Sequence, residues 1–189
     1  MRLYLFTLLV FAVPAFGQGF TLNAGAHYAD LPADPAPVGL SAIVFRAGYD
    51  VTPTLGFEAQ AGIGITSETE NLPVEGAPGM PLQGAPSIPL KVSYTTSYGL
   101  FFRAQWVLGS LSMFGRVGAV SLSTESELGP LPEAFAGFPV QQPGRVTQSA
   151  AAAGLGVVYS MTERYGIRAE LTRAEGGLDI AGVAFTVAL

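Results

Sequence analysis

Few residues in this chain could do chemistry. It holds one histidine, His27, and no cysteine. The lack of cysteine excludes disulfides, thiolate metal sites and a lipid-modified N-terminal cysteine. His27 alone could act as a general base, but such chemistry needs a nucleophile and a carboxylate converging on the same place. No motif supplies them, and one imidazole does not make a metal site. Acidic residues are plentiful (Asp30, Asp34, Glu68, Glu70, Glu75, Glu125, Glu127, Glu133, Glu175 and Asp179) but lack the spacing of a calcium loop. No catalytic, cofactor-binding or metal-binding residue is expected, so the chain reads as a non-enzyme.

A second set of charges is more patterned. Arg46, Glu58, Arg103, Arg116, Arg168 and Glu170 each occupy a polar position within an apolar stretch. Such residues would share one face of their strands and could meet as an ionic layer. That layer could be a satisfied polar core or a gate whose pairs switch.

The elements that must position these charges are strands. Apolar and polar residues alternate with period two, most plainly where Leu55, Phe57, Ala59, Ala61 and Ile63 oppose Gly56, Glu58, Gln60 and Gly62. Eight such segments can be counted from Phe20 to Leu189, an even number, each close to the length a tilted membrane strand needs. Short turns fall near Thr52-Pro53, Gly109-Ser110 and Thr162-Glu163. Longer links fall at 30–39, 67–91 and 124–145, with a shorter Gly-rich one at 174–178. Twelve of the 14 prolines lie in the three long links, as expected if the remainder is β ladder. Short turns at one end and longer loops at the other are the pattern of a transmembrane barrel.

Composition supports this. Mean hydropathy is +0.41 and only 12% of residues are charged, yet after residue 17 no apolar run is long enough for a membrane helix. Residues 1–17 read as a secretory signal: Arg2, an apolar core over Leu3 to Val13, Pro14, and a small-x-small site at Ala15-Phe16-Gly17. The barrel domain would then be residues 18–189. The net charge is −5 with no basic stripe, so nucleic acid is not an expected partner.

Orientation follows from cost. An arginine facing lipid near the bilayer centre costs ~2–4 kcal/mol, so the face bearing Arg46, Arg103, Arg116 and Arg168 must point inward. Tyr49, Phe57, Trp106, Tyr159, Tyr165 and Phe185 then form an outward aromatic girdle near the short-turn end, with Tyr28 and Tyr94 toward the other end. The turns suggest that Arg46 faces Glu58, Arg103 faces Arg116, Gly156 faces Arg168 and Gly154 faces Glu170. A carboxylate, Glu58 or Glu170, must then separate Arg103 from Arg116.

With these features the chain resembles the small bacterial outer-membrane β-barrel family that includes the membrane domain of OmpA, OmpX and the opacity-type proteins. The resemblance covers residues 18–189. It rests on Phe114-Gly-Arg-Val-Gly118, Gly154-Leu-Gly-Val-Val-Tyr159, Tyr165-Gly-Ile-Arg-Ala-Glu-Leu171 and the terminal run Gly182 to Leu189. Leu189 departs from the family's usual aromatic end. The resemblance implies an all-β, eight-stranded antiparallel up-and-down barrel in the outer membrane, exported and monomeric, with membrane lipid as its surroundings. So narrow a barrel argues against a large open pore. The Pro-, Gly- and Glu-rich loops 67–91 and 124–145 are where recognition would reside. A structural or surface-interaction role (adhesion or partner binding) without a cofactor is therefore expected. Three alternatives stay open: a secreted lipocalin-like barrel binding a small apolar ligand, a narrow gated channel, and a lipid-modifying enzyme.

Overall fold

The computed structural model describes residues 19–32, 37–73, 87–129 and 144–189. The expected signal and most of the long links lie outside them. The described residues form nine strands and no helix: β1 Phe20–Leu31, β2 Val38–Asp50, β3 Leu55–Gly64, β4 Ser67–Pro73, β5 Ser87–Leu108, β6 Leu111–Leu128, β7 Arg145–Ser160, β8 Tyr165–Ala174 and β9 Leu178–Ala188. All pairings are antiparallel. The order β3-β2-β1-β9-β8-β7-β6-β5-β4 is closed by a further pairing of β3 with β5. β3 and β4 both pair with β5, one below the other, so they are two parts of one stave. The nine strands therefore make an eight-stave barrel.

The alternation explains why these segments close. Along β3 the exposure pattern alternates strictly from Leu55, and along β8 from Tyr165. The exposed side chains are large and apolar: Leu100, Leu155 and Leu171 are about 70% exposed or more. A soluble monomer rarely exposes a continuous apolar surface beyond a few hundred Å². Here it encircles the molecule while arginines point in. That is the reverse of a lipocalin-like barrel and marks a lipid-facing exterior.

Several expectations need correction. The links at 67–91 and 124–145 are shorter than expected, because β4 and the start of β5 occupy part of one, while β6 reaches Leu128 and β7 starts at Arg145 in the other. Pro73 and Pro89 thus stand in strands. Pro89 is tolerated because it lies just beyond the last paired residues of the β5–β6 ladder, Leu90 and Leu128, where it only accepts a bond from the Gly129 N–H. An irregularity between Tyr94 and Thr96 reverses the faces of β5 above it. Tyr94, expected outside, is consequently buried inside at 7% exposure.

Two register expectations also shift by two residues. Arg46 pairs with Gln60, and Glu58 with Gly48. Arg168 pairs with Val158, and Glu170 with Gly156. The cause is the same in both turns. The Thr52 hydroxyl accepts bonds from the N–H groups of Thr54 and Leu55, and the Thr162 hydroxyl from those of Arg164 and Tyr165. Each threonine organises its own turn, which centres the hairpin on the next residue. The turn at Gly109-Ser110 is a plain two-residue connection, and there Arg103 does face Arg116.

Candidate functional site

Among the described residues, the lumen holds the densest network of charged side chains. Arg46, Glu58, Arg103, Arg116, Arg168 and Glu170, drawn from β2, β3, β5, β6 and β8, are all buried and all converge there. Arg168 lies between the two carboxylates. Its Nη1 and Nη2 donate to Glu58 at 2.6 and 2.9 Å, and its Nε donates to Glu170 at 2.8 Å. Arg116 bridges the same pair, with Nη1 at 2.8 Å from Glu58 and Nη2 at 3.0 Å from Glu170. Arg46 donates to Glu170 and lies 3.8 Å from Glu58. Glu58 also stands near Arg103, at 3.7 Å, so a carboxylate does separate the facing arginines.

The layer recruits residues beyond those six. Asp50 accepts a bond from Arg103. His27 contacts both Arg46 and Glu170, the latter at 2.9 Å. Gln60 accepts from Arg46 and Arg116 at 3.3 Å each, and Thr172 from Arg116 at 2.7 Å. Two inward aromatics complete it: the Arg116 guanidinium lies 4.3 Å over the Phe101 ring and the Arg168 guanidinium 4.1 Å over Phe114. Asp50, Gln60 and Thr172 share the parity of the predicted charges, so alternation already placed them inward. Phe101 and Phe114 share that parity with Arg103 and Arg116 and are buried with them, although polarity alone would read an aromatic as outward.

Glycine makes the room. A Cβ on Gly182 would lie 2.4 Å from the His27 ring, and one on Gly156 would lie 2.3 Å from Phe114. Small inward residues thus admit long ones from across the lumen.

Above the ionic layer, toward the ends of the long strands, the lumen turns apolar. Val38, Leu40, Ala42 and Val44 of β2 pack with Tyr94, Val120, Leu122 and Ile180; Leu40, Ala42 and Val44 have no exposure. An eight-stave barrel is wide enough only for its own side chains, and here they fill it in two layers, one ionic and one apolar. The four arginines and two glutamates of the ionic layer are each 5% exposed or less. His27 is held by Arg46 and Glu170, and among the described residues no serine or threonine hydroxyl is bonded to it.

Outside, Tyr49, Phe57, Trp106, Tyr159, Tyr165 and Phe185 are each about half exposed, and all stand near the short-turn end. Phe57 meets Phe102 edge-on and Tyr165 stacks on Phe185 across strands. Tyr28 also points outward, near the opposite end.

No protein-family model matches the chain, and no curated protein matches it. Solved structures do. Neisserial surface protein A (NspA) aligns with a TM-score of 0.59 at 13% identity, covering 90% of this chain and 97% of that one. The N-terminal β-barrel domain of Pseudomonas aeruginosa OprF aligns at 0.55 and 14%, covering 92% and 100%. Ail, the attachment invasion locus protein of Yersinia pestis, aligns at 0.53 and 11%, covering 91% and 98%. The chain has the fold of these small outer-membrane β-barrels.

Proposed function

We propose that the protein resides in the bacterial outer membrane as a monomer and acts through its outer end, as a surface-interaction barrel that contacts a partner or mediates adhesion. The single observation that carries this reading is the filled lumen. An ion entering from the outer end would meet the apolar layer around Leu40, Ala42 and Val44, where an isolated charge is prohibitively costly. Conduction would require repacking that layer, so neither a large pore nor a gate among the arginines is favoured. The ionic layer is then structural: it ties five strands together across the lumen. The outward aromatics serve as the interfacial girdle on the turn side.

Function is left to the outer ends of β4 to β7 and the segments they carry, residues 74–86 and 130–143. Ail has been solved with a heparin analogue, sucrose octasulfate. Such a polyanion suits a cationic surface. Here Glu68, Glu70, Glu125, Glu127 and Glu175 outnumber Lys91, Arg145 and Arg173 at the outer end. The charge therefore favours a basic partner over a sulfated glycan.

Replacing residues 74–86 by a short Gly-Ser linker leaves β4 and β5 intact. The variant should retain its heat-modifiable gel migration while cells displaying it lose adherence to immobilised basic matrix proteins. Undiminished adherence, or stronger binding to heparin than to the basic proteins, would sink this reading.

A further inference from the structure

The outer wall of the barrel is not uniformly convex. A groove of about 860 Å³ starts at the outer rim beside Tyr28 and Asp30 and descends across β9, β8, β7 and β6 to Ala104 of β5. Its floor is made by small residues, among them Gly115, Ala153 and Ala181. Leu155 and Leu171, about 70% exposed, rise beside them. A Cβ on Gly115 would meet only Leu155, at 3.6 Å, so the space over that residue is open.

The two ends of the groove differ. The turn-side end, at Phe102 and Ala104, presents apolar outward side chains, the neighbouring Arg116 being turned into the lumen, whereas the rim end is charged. Arg173 donates through Nε and Nη2 to both oxygens of Asp179, at 2.6 and 2.7 Å, in an exposed pair. Asp30 is the cross-strand neighbour of Asp179. The rim thus presents one guanidinium and two carboxylates, all pointing out of the barrel. An exposed ion pair is worth little by itself, so its groups can be shared with a ligand. Arg173 Nη1 lies outside the pair.

We propose that this groove binds one lipid whose head carries both a phosphate and a primary amine. Its acyl chain would lie over Gly115 and Ala153. Its phosphate would meet Arg173, and its ammonium group would meet Asp30 and Asp179. Charge complementarity selects this class. Asp30 already accepts a bond from the Tyr28 hydroxyl, so a purely anionic head would add negative charge beside two carboxylates while offering no donor to either, and a quaternary ammonium offers no N–H to them. The inference rests on the bilayer placement of the exterior and is independent of any partner of the outer loops.

Native mass spectrometry tests it. The barrel is reconstituted in phosphatidylcholine vesicles containing equal minor amounts of phosphatidylethanolamine and phosphatidylglycerol, then extracted in mild detergent. One phosphatidylethanolamine should remain bound, favoured by about tenfold, the margin that one charge-assisted hydrogen bond supplies. Gly115→Leu and Ala153→Leu should each reduce total lipid retention, by filling the groove. Asp30→Asn should remove the headgroup preference and keep the total. Gel migration reports whether each variant is folded, and Asp30→Asn leaves the lumen untouched. Retention of phosphatidylglycerol equal to or above phosphatidylethanolamine would overturn the proposal. So would retention unaffected by both groove-filling variants, or a lipid-free dimer that Gly115→Leu dissociates, which would assign the groove to a second copy.

Discussion

Replacing Glu58 by glutamine is the sharpest probe of the lumen. The substitution keeps the shape and removes one negative charge from a residue that accepts three bonds within 2.9 Å, two from Arg168 and one from Arg116. Charge-assisted bonds contribute about 1.5–3 kcal/mol each. The glutamine oxygen keeps some of them, but its NH2 group now faces a guanidinium. Breaking one side of a buried ion pair typically costs about 3–5 kcal/mol, because the surviving charge is left without compensation. That is a large share of the ~5–15 kcal/mol that stabilises a typical domain. We expect Glu58→Gln to lower unfolding free energy by about 3–5 kcal/mol, measured by urea titration in lipid vesicles with gel migration as the readout. The compensating double variant Glu58→Gln with Arg168→Met should recover part of the loss, since it removes the orphaned charge together with its partner. A cost for Glu58→Gln below about 1 kcal/mol, the range of exposed pairs, would refute the reasoning. So would a double variant whose cost equals the sum of the singles, because residues in one network are coupled.

Two further outcomes follow from the layers above and outside. Leu40→Ala opens a cavity in the apolar part of the lumen, where Leu40 is fully buried, and should cost about 2–5 kcal/mol by the same titration; in planar bilayers it should still show no steady current, whereas stable channels would contradict the sealed lumen. The sole tryptophan, Trp106, is 59% exposed near the short-turn end. In vesicles its fluorescence should be quenched most strongly by lipids brominated close to the headgroup, and maximal quenching by labels at the bilayer centre would remove it from the interface.

Much of the architecture was legible because period-two alternation reports a single bit, inside or outside, for every residue. It does so for Arg46, Glu58, Arg103, Arg116, Arg168 and Glu170 alike. Height along the barrel is different information. It depends on turns, and Thr52 and Thr162 moved the two hairpins they organise by hydroxyl bonds that polarity alone does not reveal. The shift at Tyr94 is likewise local: one extra residue reverses all those above it. The apolar upper lumen did leave a trace. Ala42, Ile43, Val44 and Phe45 run without a polar residue, the mark of a strand covered on both faces. His27 joined the layer for a reason the sequence does not carry, namely that Arg46 and Glu170 reach it from β2 and β8.

The uneven strand lengths have a mechanical consequence. The β3–β5 ladder ends at Ile63 and Thr96, yet β5 continues up to Ser87, paired with β4 to that residue and with β6 to Leu90. Those residues add about 30 Å along the strand, or somewhat over 20 Å of height at a tilt near 40°. The outermost segments are therefore mounted on a stiff mast, whose reach is set by ladder register. Lengthening or shortening that ladder in two-residue steps would change the distance at which the molecule first touches an approaching surface while preserving which side chains face it.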